Sequence, residues 1–250
     1  MQGDSALGRA LALVRDLRQR CPWDGAQTSA TLRPYLVEEV LELDRAIRRD
    51  DAVELRDELG DLLLHLAFQI VIAEEGARFD AEAVTHALET KMWRRHPHLF
   101  GGGEKPATWE MGKRDEERRK GKTLAGLPPT LPPLLMAYRL QERAAGVGFD
   151  WPDSRGPLEK VKEEIAEVER ATANGQREAI EDEIGDLLFA VVNLARKLTI
   201  DPRAALERAN DKFRERFEGV EKLAEARGVE MGRASLEELD ELWDEVKEGE

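Results

Sequence analysis

The sequence predicts an all-α protein made of two tandem helical bundles, and three observations carry that prediction. Apolar residues recur at helical spacing along nearly the whole chain, and no stretch alternates as a half-buried strand does. The chain also repeats itself: DELGDLL at Asp57–Leu63 returns as DEIGDLL at Asp182–Leu188, 125 residues later in a chain of 250. Between the copies, Phe100–Pro133 is rich in Gly, Pro and charge and reads as a linker. The expected organisation is a first helical domain over 1–99, a linker over 100–131, and a second helical domain over 132–250.

Taken in order, the periodicity predicts helices over 4–20, 30–49, 52–76 and 80–96 in the first half. The second half gives 132–146, 155–173, 176–199, 202–228 and 235–248. Local chemistry supports the limits. Asp201-Pro202 is an N-cap followed by proline at the first helical position, and Asn174-Gly175 is a helix-ending turn. Ser235 lies three residues before Glu238, the spacing of a capping box. Aromatics are only 6% of the chain and charged residues 36%, a composition suited to helices.

A net charge of −14 argues against a general binder of nucleic-acid backbones, which needs a basic face. The basic run Lys113–Lys122 is interleaved with acids and reads as solvated linker. No apolar run approaches the ~20 residues of a membrane span, and the N-terminus lacks a signal peptide's apolar core. The lone Cys21 fits a reducing compartment, so a cytoplasmic protein is expected. Gly121-Lys122-Thr123 is like the end of a P-loop, but Glu116 stands where the motif needs glycine.

The repeat carries acids at fixed spacing. The first copy has Glu38, Glu39 and Glu42 on one helix, then Glu58 and Asp61 on the next. The second has Glu163, Glu164 and Glu167, then Glu183 and Asp186, and the gap between the helices' acids is 16 residues in both copies. Acids three or four apart share a helix face, and a short turn makes the two helices antiparallel neighbours. Four carboxylates then converge. Two carboxylates about 5 Å apart repel by roughly 3 kcal/mol at an effective dielectric near 20. A hard divalent cation removes that cost, so the pattern predicts Mg²⁺ or Mn²⁺. Flanking apolar residues, Leu59, Leu62, Leu63 and Leu66 in one copy and Ile184, Leu187, Leu188 and Val191 in the other, place the acids near the edge of a buried face.

Gly60 and Gly185 sit between the acids. Glycine inside a helix costs about 1 kcal/mol relative to alanine. Two such costs at equivalent places point to close approach by another helix or a ligand. A di-iron bundle would need His where both copies have Asp, and His65 reads as a supporting or core residue. His96 and His98 have no counterparts at Glu221 and Leu223, and Cys21 has no evident base beside it. Trp23 and Trp151 are expected in the core.

At these residues the sequence resembles the MazG family of nucleoside triphosphate pyrophosphohydrolases. That family's signature is Glu-x-x-Glu followed after a turn by Glu-x-x-Asp. It occurs here as Glu39/Glu42/Glu58/Asp61 and again as Glu164/Glu167/Glu183/Asp186. The likeness spans nearly the whole chain and includes CPWD from Cys21, RRHPHLF from Arg94 and GVGFDW from Gly146. It continues through GDLLFAVVNLAR from Gly185, NDKFRERF from Asn210 and LWDEVK from Leu242.

The resemblance implies Mg²⁺-dependent cleavage of NTPs and dNTPs to the monophosphate and pyrophosphate, in a homodimer of tandem helical domains. It implies catalysis in the second half, with Glu164, Glu167, Glu183 and Asp186 as metal ligands and the first set silent. Lys160, Glu163, Lys212, Arg216, Trp243 and Lys247 match positions around the nucleotide. A family position that is often Lys is Ala179 here, with Arg177 nearby. Lys212 and Arg216, four apart, suit phosphates, and Glu163 could orient or deprotonate a water. Trp243 either stacks a base or packs the last helix. Narrower alternatives are a dUTPase-like or damaged-nucleotide hydrolase; a non-enzymatic helical interaction module is the third reading.

Overall fold

The structure, a computed structural model, describes residues 5–101 and 123–249. Most of the expected linker, including the basic run Lys113–Lys122, lies outside the described residues. The chain divides into two compact units, Met1–Pro106 and Ala107–Glu250. Among the described residues every regular element is a helix.

The first unit comprises α1 (Ala6–Arg20), α2 (Pro22–Ala26), α3 (Ser29–Arg49), α4 (Ala52–Glu75), α5 (Ala81–Arg95) and α6 (Pro97–Phe100). Side chains stop the exposed N–H groups at each long helix start. Ser5 accepts from Gly8, Asp80 from Ala83, and Thr28 forms a reciprocal capping box with Thr31. Asp51 accepts from both Val53 and Glu54. The core joins Leu11 and Val14 of α1, Leu32 of α3, Ala67, Phe68 and Val71 of α4, and Ala81 of α5. Two ion pairs, Arg15–Glu74 and Arg18–Glu75, each at 2.7 Å, bind α1 to the end of α4.

The second unit comprises α7 (Pro133–Gly146), α8 (Arg155–Asn174), α9 (Arg177–Lys197), α10 (Pro202–Arg227) and α11 (Leu236–Glu248). Here α9 packs on both α8 and α7, while α11 folds back along α10. Val220, Ala224 and Leu242 make that second contact, and a Cβ on Gly219 would come within 2.9 Å of Val246, so the two helices need glycine there. Asp201 caps α10, and Ser235 with Glu238 forms the expected capping box on α11.

The duplication survives in side-chain detail. Asp50 and Gly175, 125 positions apart, both end their helices in the left-handed conformation, with φ of 54° and 67°. Ala46 and Ala171 are both buried, and Arg45–Glu42 and Arg170–Glu167 are paired three residues apart in each copy.

Three expectations are corrected. Trp23 is 57% exposed and Trp151 40%, so neither is a core residue. Six of the eight apolar residues flanking the acids are also open, Leu62 and Leu187 being partly buried. Leu59, Leu63 and Leu66 on α4, and Ile184, Leu188 and Val191 on α9, are between 36% and 54% exposed. They lie on the outward side of two-helix layers that the described residues of their own unit do not cover. Likewise, a Cβ at Gly60 or Gly185 would meet nothing within 4 Å beyond its own helix backbone. Among the described residues no helix makes the close approach that these glycines suggest.

Candidate active site

In the second unit, α8 and α9 run antiparallel around the turn at Gly175, and this brings their acids face to face. One carboxylate oxygen from each of Glu164, Glu167 and Glu183 lies within 4.8 Å of the others. Asp186 stands outside that trio. Burial, then the charges of Glu167, Glu164 and Asp186, push the Glu183 carboxyl above the usual range, against a small opposing pull from Arg170. Glu164 is 3% exposed, and its Oε2 is buried with no hydrogen-bond partner among the described residues. An orphaned carboxylate oxygen beside two other carboxylates is a donor set suited to a hard divalent cation. The residues therefore fit Mg²⁺ or Mn²⁺.

Lys160, one turn before Glu164 on α8, reaches into this group. Its Nζ lies 2.6 Å from Glu164 and 2.9 Å from Glu163. Those hydrogen bonds, to Glu164 first and then Glu163, hold its pKa well above the usual lysine value. Glu163 itself is more than half exposed, with its carboxylate at the outer edge.

The first unit assembles a different trio. There Glu39, Glu58 and Asp61 offer oxygens within 4.8 Å, while Glu42 pairs with Arg45 at 3.8 Å. Burial first, then neighbouring acids, raises the pKa of both Glu39 and Glu58. At the position of Lys160 stands Tyr35, which brings no charge. His65 is buried with its Nε2 3.8 Å from Glu39, and burial lowers its pKa against an opposing pull from Asp61.

The remaining expected nucleotide contacts gather on α10 and α11. Arg216 lies over the Trp243 ring at 5.9 Å, and Phe213 packs against the same ring at 5.3 Å. Lys247 pairs with Asp244 at 2.9 Å, and Lys212 lies one turn before Arg216. Beside the acids there is a cavity of about 510 Å³ whose wall includes Lys160, Glu164 and Asp186. None of Lys212, Arg216, Trp243 or Lys247 lines it.

Comparison with known proteins matches the MazG nucleotide pyrophosphohydrolase domain twice, over residues 27–100 and 156–220. The chain belongs to the MazG family. It is similar to the nucleoside triphosphate pyrophosphohydrolase of Escherichia coli K12, 43% identical over 94% of this chain and 93% of that one. A Thermotoga maritima protein named nucleoside triphosphate pyrophosphohydrolase/pyrophosphatase MazG is 43% identical over 96% and 94%. The uncharacterized protein YabN of Bacillus subtilis is 40% identical over 96% of this chain and 51% of its own length. Membership accords with the all-α, tandem architecture expected from the sequence, and each MazG match contains one complete acidic set.

The second MazG match begins after Trp151, and so leaves out a loop that the sequence singled out only by resemblance. Phe149 and Trp151 of this Gly146–Trp151 stretch line the cavity. Gly148 adopts φ of 89°, a conformation natural to glycine. Asp150 is clamped by Arg196 at 2.5 Å and Lys197 at 3.2 Å. Burial opposes its ionisation, but these hydrogen bonds outweigh that and hold its pKa below the usual range. The Trp151 ring lies against Gly156, where a Cβ would collide with it. The position is built, not incidental.

Proposed function

We propose that the second unit hydrolyses nucleoside and deoxynucleoside triphosphates to the monophosphate and pyrophosphate with Mg²⁺. The observation that carries this reading is the Glu164/Glu167/Glu183 trio with its orphaned Glu164 oxygen, set between a paired lysine and a cavity. Glu164, Glu167, Glu183 and Asp186 would hold the metal. When bound, a divalent ion supplies neutralisation of the triphosphate and acidification of a water. Lys160 carries a permanent positive charge at the cavity wall, where it can turn from the carboxylates to a phosphate oxygen. Glu163, exposed at the outer edge, is the carboxylate available to take a proton from the attacking water. Lys212, Arg216 and Lys247 supply further cations, and Trp243 packs beside Arg216 to orient its guanidinium.

The first unit is read as catalytically silent, because Tyr35 replaces Lys160 and no helix like α11 follows α5 among its described residues. We read the working form as a homodimer. The support is the repeated apolar stripe on α4 and α9, half exposed and centred on glycines with open space above them. Incubating the protein with dATP and Mg²⁺ should yield dAMP and pyrophosphate, and EDTA should stop the reaction. Orthophosphate and dADP as products would refute the reading. A panel of nucleotides that includes dUTP and oxidised bases separates the broad enzyme from the narrower alternatives.

A further inference from the structure

The first unit's acidic trio differs from its counterpart in what stands beside it. In the second unit Lys160 pairs with Glu164 and Arg170 with Glu167, so two of the three carboxylates have a counter-ion. In the first, Arg45 pairs with Glu42 and Glu54, both outside the trio. Among the described residues no lysine or arginine pairs with Glu39, Glu58 or Asp61. An imidazole faces them instead. His65 is 8% exposed and its Nε2 lies 3.8 Å from Glu39 Oε1, beyond hydrogen-bond reach. Its Nδ1 is buried, and neither ring nitrogen has a hydrogen-bond partner among the described residues.

The repeat shows what this ring replaces. His65 corresponds to Ala190 and Phe68 to Asn193, 125 residues on. Ala190 and Asn193 line the second unit's cavity, whereas His65 and Phe68 are bulkier and buried. The first unit fills this place with side chains, and one of them is a nitrogen ligand. Glu58, Asp61 and His65 succeed one another on α4 at intervals of three and four residues, the spacing of a shared helix face.

Donor atoms on one first-row ion stand about 2.1 Å from it, and hence about 3 to 4 Å from one another. Glu39 Oε1 and His65 Nε2 already have such a separation, and the trio's oxygens lie within 4.8 Å. A buried imidazole without hydrogen bonds is costly; an ion on Nε2 satisfies one nitrogen and fixes the proton on the other. Carboxylates alone suit Mg²⁺, but imidazole favours Zn²⁺ and its neighbours in the first transition row. We infer that the first unit binds a divalent transition-metal ion of the Zn²⁺ class through Glu39, Glu58, Asp61 and His65 Nε2, as a pin between α3 and α4. Leu32 is what α3 contributes to the buried apolar cluster of this unit, so a second tie farther along that helix has a mechanical use. The site needs no turnover and stands whether or not the second unit is a hydrolase.

The test uses the full-length chain carrying Glu183→Gln, which takes a carboxylate charge from the second unit's trio. Equilibrium dialysis against Zn²⁺, with Mg²⁺ in large excess, should leave one Zn²⁺ per chain. Adding His65→Phe keeps a flat buried ring and removes the nitrogens. It should weaken Zn²⁺ binding by about 100-fold or more, since losing a ligand exceeds the 10- to 100-fold cost of losing a ligand's hydrogen-bond partner. Mn²⁺ serves as the spectroscopic probe: pulsed electron paramagnetic resonance should show coupling to nitrogen, and His65→Phe should abolish it. Displacement of Zn²⁺ by Mg²⁺, an affinity unchanged in His65→Phe, or bound Mn²⁺ without nitrogen coupling overturns the proposal. If His65→Phe does not fold, as judged by circular dichroism, Glu39→Gln on α3 takes its place. Zn²⁺ affinity should then fall about 100-fold while the nitrogen coupling of bound Mn²⁺ persists, and an unchanged affinity overturns the proposal.

Discussion

Gly185 offers a substitution whose effect on the fold and on assembly should have opposite signs. It lies inside α9 between Glu183 and Asp186, and a Cβ there would meet nothing within 4 Å. Replacing glycine by alanine at an unobstructed position inside a helix gains about 1 kcal/mol. With a urea m-value of about 2 kcal/mol/M, the unfolding midpoint of Gly185→Ala should rise by about 0.5 M at low protein concentration. In the homodimer proposed above, the open space over Gly185 would be where the second copy comes close, and the added methyl would obstruct it. Light scattering should then show native dimer and a monomer-rich variant at equal micromolar concentration. Urea midpoints of the native protein should rise with protein concentration, and those of the variant should not. A variant that gains stability and remains fully dimeric would refute the close-approach argument. A variant that loses stability in the monomer would mean that the space is not open.

Three further outcomes are expected. Glu183→Gln keeps the shape but removes a ligand charge, and it should lower dATP hydrolysis by about 100-fold or more, while Glu58→Gln leaves most of it; steady-state rates with circular dichroism as a folding control decide between the halves. Magnesium at about 100 times its Kd should add about 2.7 kcal/mol to the stability of the native protein over EDTA, and equal thermal midpoints in the two would count against a preformed site. The third outcome concerns pH in EDTA. The folded pKa of Glu183 is raised, so the native state binds its proton more readily than the unfolded chain does. The ionised group therefore destabilises the fold above that raised pKa, and the penalty disappears as pH falls to the ordinary glutamate range. The native protein should gain on Glu183→Gln in thermal midpoint between about pH 7 and pH 4.5, and parallel curves would show no such linkage.

The helices were legible because each long one combines an apolar period with chemical end signals. The Asp201 cap, the Ser235–Glu238 box and the Gly175 turn all act where the sequence places them. The short α2 and α6 were not read, since four or five residues carry no period. The acids were legible for the same reason as the helices: spacing puts them on one face. Which of the four would form the closest trio was not, because that depends on side-chain partners. Arg45 pairs with Glu42 and Arg170 with Glu167, yet Glu42 stands outside its trio and Glu167 inside; in the second unit Lys160 also holds Glu163 and Glu164, where the first has Tyr35. The cavity was invisible in the sequence. Gln141, Phe149, Phe189 and Asn193 come from two helices and a loop, share no period, and meet only when α7 packs on α9. The burial expected for Leu59 and Ile184 failed because periodicity marks a face as apolar without saying which molecule covers it.

Lys160 makes the acidic cluster tolerable in the chain as it stands. Its ammonium, 2.6 Å from Glu164, is a tethered counter-ion that the protein carries on its own helix. In the proposed reaction, a divalent ion arriving at the same carboxylates would compete with that ammonium and set it loose at the cavity wall. The freed charge then faces the space into which a polyanion must come. Metal and substrate would in this way be served by one lysine in succession, and a unit that lacks it, as the first does with Tyr35, would have no such hand-over. The prediction embedded in this arrangement is a cooperative one: nucleotide should bind more tightly after metal than before it, beyond the attraction of the ion itself, and Lys160→Met should remove that extra share.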